Sequence, residues 1–258
     1  MLMKPYHFPS LDEILETLPE PVAIETQVRV YKAHEHALAF HGRARRESGE
    51  LYVEHDRAVA YESGLISSSK ILTTAGILHD NLAPDLLASD RQKRLHTETF
   101  GQDVVNLVIG LQELEPYTKL DIDRDPKQLE RLRRAILNVS QQHNIGVIVL
   151  RMADRLENLR LAHLMPEEKR SNIAREAQEI YAPIANRLGI WTLKWQLEDG
   201  ALRILEPEIY NELRQQIDSQ RRERDAEINR LMHLLREKLE EAEIKARVIG
   251  RPKHIASV

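Results

Sequence analysis

The segment that most constrains this chain is ILTTAGILHD, in which an apolar run of helical length ends in His79 followed by Asp80. Neighbouring side chains on a helix point in different directions, so this pair can bind one ion only if further ligands converge from elsewhere. Two candidates are His55, in LYVEHDRAVA, and Asp154, in VIVLRMADRLENLR, where an apolar run again meets charge. Because an HD pair also occurs as a helix cap or as a surface feature, its spacing alone is a weak signal.

Together, His55, His79, Asp80 and Asp154 offer a mixed set of nitrogen and oxygen donors. Such a set suits Mn²⁺, Fe²⁺ or Zn²⁺ better than Ca²⁺ or a thiolate-bound structural zinc. The chain has no Cys, which excludes disulfides and thiolate sites and favours a reducing cytoplasm. The start MLMKPYHFPS lacks the apolar core of a signal peptide, and no run reaches membrane-spanning length, so we expect a cytoplasmic protein without membrane contact.

The composition predicts a helical protein. Charged residues make up 30% of the chain and aromatic residues only 5%, with few Gly and Pro, as expected of amphipathic helices. A net charge of −4 gives no general attraction to nucleic acid, so a polyanionic substrate would need a local basic patch. We therefore predict an all-α fold and no direct binding of nucleic acid.

Local patterns predict most of the helices. Ser10 and Glu13 form a capping-box pattern at the start of a short helix. The segment ESGLISSS is expected to be a turn, the pattern blurs from 81 to 97, and KARVIG is typical of the start of a strand. Further helices are predicted over Ile24 to Arg45, His55 to Glu62, Lys70 to Asp80, Ile145 to Leu164, Pro166 to Gly189 and Pro207 to about Ala242. Helical spacing also predicts helices in FGQDVVNLVIGLQEL, PKQLERLRRAILNV and WTLKWQLEDGALRILEP, with EPYTKLDIDRDP between the first two as a surface loop.

Two clusters of charge have competing interpretations. Asp154 and Arg155 can form a surface ion pair worth under about 1 kcal/mol. The apolar run VIVL before them instead favours an Asp154 that points into the floor of a pocket, on one face with Arg151 and Asn158. Likewise, the basic segment HGRARRESGE is either a substrate-binding patch or a solvated helix end, where cations are favourable.

Taken together, these segments resemble the RelA/SpoT family, the bacterial enzymes that make and destroy the alarmone (p)ppGpp. The resemblance covers most of the chain. RESGELYVEHDRAVA is similar to the family segment R-x-S-G-E-P-Y-x-x-H-P, ILHD to A-L-L-H-D, and MADRLENLR to L-A-D-R-L-H-N-M-R. The most specific match is EIYAPIANRLGIWTLKWQLED, which is close to the linker helices of the family.

This resemblance implies an HD-type helical bundle, the HD phosphohydrolase domain, over residues 1–188. Linker helices would follow over 189–242, and a truncated α/β synthetase domain would begin over 243–258. The chain would then be a fragment of a longer protein whose partners are the missing synthetase and regulatory domains in cis. In GRPKHIASV, Arg251 and Lys253 match residues that bind ATP phosphates in the synthetase half.

The resemblance also implies roles for single residues. His55, His79, Asp80 and Asp154 would bind Mn²⁺, and Asp80 would also be catalytic. Arg46 matches the basic residue next to the guanine base of (p)ppGpp, Asn158 matches the polar residue near the ribose and phosphate, and Arg43 is a further candidate for substrate binding.

Departures from the family pattern affect the catalytic periphery. Ala83 and Pro84 replace the Glu-Asp pair that helps to orient the attacking water, which leaves Asp85 as the candidate for the acidic catalytic role. Glu47 and Glu157 replace more favourable residues and are expected to make the rim of the pocket less attractive to an anion. Asp56 replaces a Pro.

Three functions follow from these observations. The first is an Mn²⁺-dependent (p)ppGpp 3′-pyrophosphohydrolase, with reduced activity because a lost general base typically costs ~10²–10⁴-fold. The second is a degenerate HD domain that binds nucleotide or regulates the adjoining synthetase half. The third is an HD-type hydrolase acting on another nucleotide. The presence of all four candidate ligands favours the first.

Overall fold

The computed structural model describes residues 6–82, 89–118, 127–219 and 221–242, together with 244, 246 and 248. In these residues the backbone forms helices, turns, loops and one isolated antiparallel bridge between Arg45 and Leu51. The all-α prediction is confirmed. The helices are α1 Leu11–Glu16, α2 Ile24–His41, α3 Tyr52–Ser67, α4 Lys70–Leu78, α5 Asp90–Phe100, α6 Gln102–Leu114, α7 Lys127–Gln142, α8 Gly146–Leu161, α9 Glu167–Glu176, α10 Ala182–Arg187, α11 Trp191–Leu205, α12 Pro207–Ser219 and α13 Arg221–Glu241. Short 3₁₀ turns cover Glu115–Tyr117 and Ala162–Leu164, and a π-helical turn covers Ala177–Tyr181.

Helix α4 lies at the centre of the bundle and packs against α2, α3, α6 and α8. Every residue from Leu72 to Leu78 is buried, as expected of a helix that is apolar around most of its circumference. At Gly76 the backbones of α3 and α4 are in contact, since a Cβ there would lie 2.6 Å from the Cα of Ala60. The end of α4 is thereby held against α3, which carries His55.

Helix α8 is the second central helix. Its first half, from Gly146 to Asp154, is buried at every position, and α9, α11 and the π turn cover its second half. At Gly200 of α11 a Cβ would lie 2.5 Å from Cδ2 of Leu159, so this helix also packs closely. Four polar side chains are buried along α8, namely those of Arg151, Asp154, Glu157 and Asn158. Buried polar groups need partners, so this helix is where a site is expected.

Several predicted boundaries are corrected by the structure. Helix α2 ends at His41 and not at Arg45, because Gly42 adopts a positive φ of 56°. Helix α3 runs from Tyr52 through ESGLIS to Ser67, although this segment was predicted to be a turn. Burial of Glu62, Ser63 and Gly64 favours the helix over the weak propensity of Ser and Gly. The prediction at Ser10 is confirmed, since its hydroxyl accepts from the Glu13 amide while the Glu13 carboxylate accepts from the Ser10 amide.

Later boundaries also differ. Helix α5 lies mostly in the segment from 81 to 97 where the sequence has no clear pattern, and Ser89 caps its start by accepting from the Gln92 amide. The predicted helix from Pro166 to Gly189 is divided into α9, the π turn and α10, but Gly189 does end it with a φ of 72°. The long C-terminal helix is described as α12 and α13, with position 220 outside the described residues. The predicted strand in KARVIG and the GRPKHIASV segment, with Arg251 and Lys253, lie largely or wholly outside them.

In the part of the chain that the structure describes, no helix is both long enough and apolar enough to cross a membrane.

Candidate metal centre

Three helices bring the four predicted metal ligands to one place. His55 lies in the first turns of α3, His79 and Asp80 directly follow α4, and Asp154 lies in the middle of α8. His55, His79 and Asp154 are buried, whereas the side chain of Asp80 keeps 39% of its surface exposed. The cluster is therefore an interior site with one side open to solvent.

The ligand atoms are close enough to share one ion. One atom from each of His55, His79 and Asp80 lies within 4.8 Å of the other two. Oδ1 of Asp154 lies 3.4 Å from Nε2 of His55 and 4.0 Å from Nε2 of His79. Nε2 of His79 also lies 3.4 Å from Oδ1 of Asp80.

The hydrogen bonds of the two histidines leave ring nitrogens available to a divalent metal ion. Nδ1 of His79 donates to the carbonyl oxygen of Gly76 at 2.8 Å, which leaves the Nε2 lone pair directed at the cluster. Neither Nε2 of His79 nor either ring nitrogen of His55 has a hydrogen-bond partner in the described residues. Buried imidazole nitrogens without partners, beside two carboxylates, match the donor set and charge that Mn²⁺, Fe²⁺ or Zn²⁺ requires.

The electrostatics of the cluster point the same way. Burial alone would lower the pKa of His79, but Asp80, Asp56 and Asp154 raise it above its ordinary value. Burial would raise the pKa of Asp154, yet the imidazole of His55 at 3.4 Å and the positive charge of Arg151 hold it well below its usual range. The negative charge of these ionised carboxylates favours a proton on the neighbouring imidazole. For the same reason it would favour a metal cation bound to the imidazole instead of that proton.

Asp154 is held by two neighbours on its own helix. Nη1 of Arg151 donates to Oδ2 at 2.9 Å, and Nδ2 of Asn158 donates to Oδ1 at 2.8 Å. The alternative of a surface ion pair between Asp154 and Arg155 is wrong, because Asp154 is buried and Arg155 instead pairs with Glu176 at 3.3 Å. Asp154 therefore points inward, towards His55 and His79, and not outward.

A cavity of about 380 Å³ adjoins the cluster at Asn158. Its walls come from the loop after α2, from α8 and from α9, and they carry both signs of charge. The side chains that matter chemically are Arg46, Arg155, Asn158, Glu168, Lys169 and Glu176. Because Asn158 both lines this cavity and donates to Asp154, a molecule in the cavity would lie next to the candidate ligands.

Arg46 is positioned by a tight loop. Its backbone amide donates to the carbonyl of Glu50 at 2.8 Å, and Gly49, with a φ of 100°, donates back to the Arg46 carbonyl at 2.9 Å. The guanidinium then donates to Oδ1 of Asn158 at 2.9 Å and lies 5.9 Å from the ring centre of Tyr52. The side chain is thus held at the wall of the cavity rather than free in solvent.

The remaining predicted residues are placed as follows. Arg43 is exposed and is not part of the cavity wall in the described residues. Glu47 forms an ion pair with Lys169, a wall residue, so it does lie at the rim. Glu157 does not lie at the rim as predicted, because it is fully buried and accepts from the hydroxyl of Tyr6. Asp85, Ala83 and Pro84 lie outside the described residues.

Sequence reasoning missed two groups of residues. Lys169 and Glu176 reach the cavity from α9, and no local pattern marks them, while Arg155 lies beside Asp154 but is considered from the sequence only as its surface ion-pair partner. Asp56 and Asn81 form a buried polar contact beside His79, with Nδ2 of Asn81 donating to Oδ2 of Asp56 at 3.0 Å. The only available signal was the presence of Asp56 at a position where the family pattern has Pro.

Comparison with known proteins gives a consistent result. A family model described as HD domain matches residues 33–191. The chain is 34% identical over 86% of its length to a probable guanosine-3′,5′-bis(diphosphate) 3′-pyrophosphohydrolase of Synechocystis. It is 33% identical over 98% of its length to the bifunctional (p)ppGpp synthase/hydrolase SpoT of Escherichia coli, and 35% identical over 89% to a GTP pyrophosphokinase of Myxococcus xanthus. It spans only 28% to 34% of the length of these relatives.

Proposed function

Because this chain belongs to the HD domain family and is of the RelA/SpoT type, we propose that it hydrolyses (p)ppGpp at the 3′-pyrophosphate with a bound divalent metal ion. In this reaction water replaces the 3′ oxygen of the ribose on phosphorus, so that ppGpp gives GDP and pppGpp gives GTP, each with pyrophosphate. The observation that carries the proposal is the hydrogen bond between Asn158 and Asp154, which joins the candidate metal ligands to a cavity lined by Arg and Lys side chains.

His55, His79, Asp80 and Asp154 would hold the ion, and Mn²⁺ is the ion that we propose. A bound divalent cation supplies Lewis acidity and allows water to ionise near neutral pH. In this protein, the buried Arg151 and Asn158 keep the Asp154 carboxylate oriented towards the cluster. The partly exposed Asp80 is the member that solvent and substrate can reach, which supports our assignment of a catalytic role to it.

The cavity would bind the nucleotide. Arg46, Arg155 and Lys169 offer positive charge to phosphate groups, and the planar guanidinium of Arg46 can also stack on a base. Asn158 has an amide oxygen that accepts from Arg46 and an amide nitrogen that donates to Asp154, so it would orient the ribose side of the substrate relative to the ligands. We keep Arg43, from the basic segment HGRARRESGE, and Asp85, which follows the replaced positions Ala83 and Pro84, as further proposed site residues.

The experiment that tests the function is an assay of pyrophosphate release from ppGpp with Mn²⁺ and with a chelator. We expect slow release that depends on the metal, with dGTP and cyclic dinucleotides as poor substrates and His79→Ala as the background control. Binding of ppGpp without release of pyrophosphate would show that hydrolysis is wrong and would favour a regulatory role. Turnover of dGTP alone would contradict the proposed substrate.

The wider setting is also a proposal. The relatives are about three times as long as this chain, which supports synthetase and regulatory segments as partners in cis. The domain limits 1–188, 189–242 and 243–258, and the cytoplasmic location, stay predictions.

A further inference from the structure

Asp56 is a buried carboxylate that the proposed ligand set does not use. It follows His55 in α3, and none of its surface is exposed. A buried charge is costly unless it is paired and hydrogen-bonded. The partners of Asp56 are therefore informative, and they are His79, Asn81 and His41.

The contact with Asn81 fixes Asp56 against the end of α4. Nδ2 of Asn81 donates to Oδ2 of Asp56 at 3.0 Å and to the carbonyl oxygen of Ile77 at 2.6 Å. Ile77 lies in the last turn of α4, two residues before His79. The carboxylate of Asp56 thus has a defined position relative to the backbone that carries His79.

The other oxygen of Asp56 faces His79 itself. Oδ1 lies 3.6 Å from Nδ1 of His79, the nitrogen whose proton is donated to Gly76, and has no hydrogen-bond partner in the described residues. A negative charge beside the Nδ1 proton stabilises the tautomer that is protonated on Nδ1. It also makes Nε2 a stronger ligand, because more electron density is available to a metal there. Metal-binding histidines commonly have such a carboxylate or carbonyl on the ring nitrogen that does not bind the ion.

The third contact extends towards the nucleotide cavity. Nε2 of His41 lies 3.3 Å from Oδ2 of Asp56, and the His41 ring stacks on Tyr52 with centres 4.9 Å apart. Tyr52 in turn lies beneath the guanidinium of Arg46. Asp56 therefore contacts the candidate ligand His79 directly and is connected through His41 to Tyr52, the ring that lies against Arg46.

We propose that Asp56 is a positioning residue of the metal centre, which fixes the tautomer and orientation of His79 and makes its Nε2 a stronger ligand. This inference rests on the proposed metal-dependent function but adds a residue that the family resemblance does not supply, since the family pattern has Pro at this position. Asn81 is the residue that holds Asp56 in place.

The test measures the affinity of the purified protein for Mn²⁺ and Co²⁺ by calorimetry, together with the visible absorption spectrum of bound Co²⁺. We expect Asp56→Asn to weaken metal binding by about 10- to 100-fold and to alter the Co²⁺ spectrum. Asn81→Leu, which leaves the charge of Asp56 but removes its donor, should act in the same direction with a smaller effect. Glu98→Gln removes an exposed carboxylate from α5 and serves as the matched control for charge.

The outcomes separate the possible explanations. If Asp56 were only structural, Asp56→Asn would change the unfolding midpoint of the metal-free protein but leave the metal affinity and the Co²⁺ spectrum unchanged, and the proposal would be wrong. If Asp56→Asn fails to fold, Asn81→Leu decides by the same two measurements. If wild type binds metal and both variants bind it equally tightly, only the role of Asp56 is overturned. If wild type binds no metal, the proposed function is overturned as well.

Discussion

The guanidinium of Arg46 donates a hydrogen bond of 2.9 Å to the side chain of Asn158, although the two residues are 112 positions apart in sequence. The amide nitrogen of the same Asn158 side chain donates a second hydrogen bond to Asp154. One amide side chain therefore joins a loop after α2 to a candidate metal ligand in α8. Because Arg46 and Asp154 contact Asn158 from opposite sides, substitution of the metal ligands and substitution of Arg46 should separate metal binding from nucleotide binding.

Replacement of a candidate ligand should remove metal binding and the stability that comes with it. A ligand that binds only the folded state stabilises it by about 2.7 kcal/mol at 100 times its dissociation constant. Wild type should therefore melt at a higher temperature with Mn²⁺ than with a chelator, and His79→Ala and Asp154→Asn should not. His163→Ala, which changes an exposed imidazole, is the control and should keep the shift. An unchanged shift in His79→Ala would rule out the ligand set.

Removal of Arg46 should weaken nucleotide binding and leave the metal in place. Its side chain lines the cavity and donates to Asn158, and within the part of the chain that the structure describes it forms no hydrogen bond or ion pair with the four candidate ligands. Loss of a charge-assisted contact of about 1.5 to 3 kcal/mol predicts about a 10- to 100-fold weaker affinity for ppGpp in Arg46→Ala. Calorimetry with ppGpp and with Mn²⁺ measures the two separately. Arg43→Ala makes the matched comparison, and an equal loss there would show that Arg43 also contributes.

Neutralisation of Glu47 should strengthen binding of phosphate groups. Its carboxylate pairs with Lys169 at the rim of the cavity, and both side chains are about half exposed. An exposed pair of this kind contributes under about 1 kcal/mol, so the gain in ppGpp affinity for Glu47→Gln should be at most about fivefold and should shrink at high salt. Titrations at low and high ionic strength provide the check, with Glu35→Gln on the outer face of α2 as the control. A loss of affinity in Glu47→Gln would contradict the assignment of this rim.

The buried Glu157 should make stability depend on pH. Burial raises its pKa above the ordinary value of 4.5, although the hydroxyl of Tyr6, His55 and Arg160 act in the opposite direction. The folded protein therefore binds this proton more tightly than the unfolded chain. The resulting stabilisation is complete below about pH 4.5 and is lost as the pH rises through the raised folded pKa.

Glu157→Gln keeps an acceptor for Tyr6 and removes this titration. Urea unfolding in the presence of a chelator should show that the variant gains stability relative to wild type as the pH increases above 4.5. Glu98→Gln, on the exposed face of α5, should show no such trend. A constant difference between Glu157→Gln and wild type across this range would mean that burial does not perturb Glu157.

Restoration of the family's acidic pair should raise the rate of hydrolysis. Ala83→Glu with Pro84→Asp returns the two carboxylates that the resemblance associates with orienting water, and a general base contributes typically ~10²–10⁴-fold. The measurement is Mn²⁺-dependent release of pyrophosphate from ppGpp, with Ala83→Gln and Pro84→Asn as the uncharged control pair. Asp85→Asn in the wild-type background should lower the rate. Equal rates in the charged and uncharged pairs would show that these positions are not catalytic.

The sequence predicted the helical fold and the four residues that converge, because each of them ends or interrupts an apolar run. It did not predict how those residues are supported. Asp56 is one residue that departs from the family pattern, and nothing near it in the sequence indicates its partners. Asn81 and His41 contact it only because the helices pack together in the fold. Glu157 is expected at the rim because it takes the place of the His in the family pattern R-L-H-N, whereas the fold buries its carboxylate, which accepts from the hydroxyl of Tyr6. Local patterns specify which face of a helix is buried, but the partner of each buried polar group depends on the packing of distant segments.

The close contact at Gly76 has a consequence for how sites of this kind are lost during evolution. A residue with any side chain at this position would force apart the two helices that carry His55 and His79, because its Cβ would overlap the backbone of Ala60. A descendant of this chain could thus retain all four ligand residues and still have no functional centre. A search of genomes that counts ligands alone would misclassify such a descendant as an enzyme, whereas one that also required a glycine at the helix crossing would not.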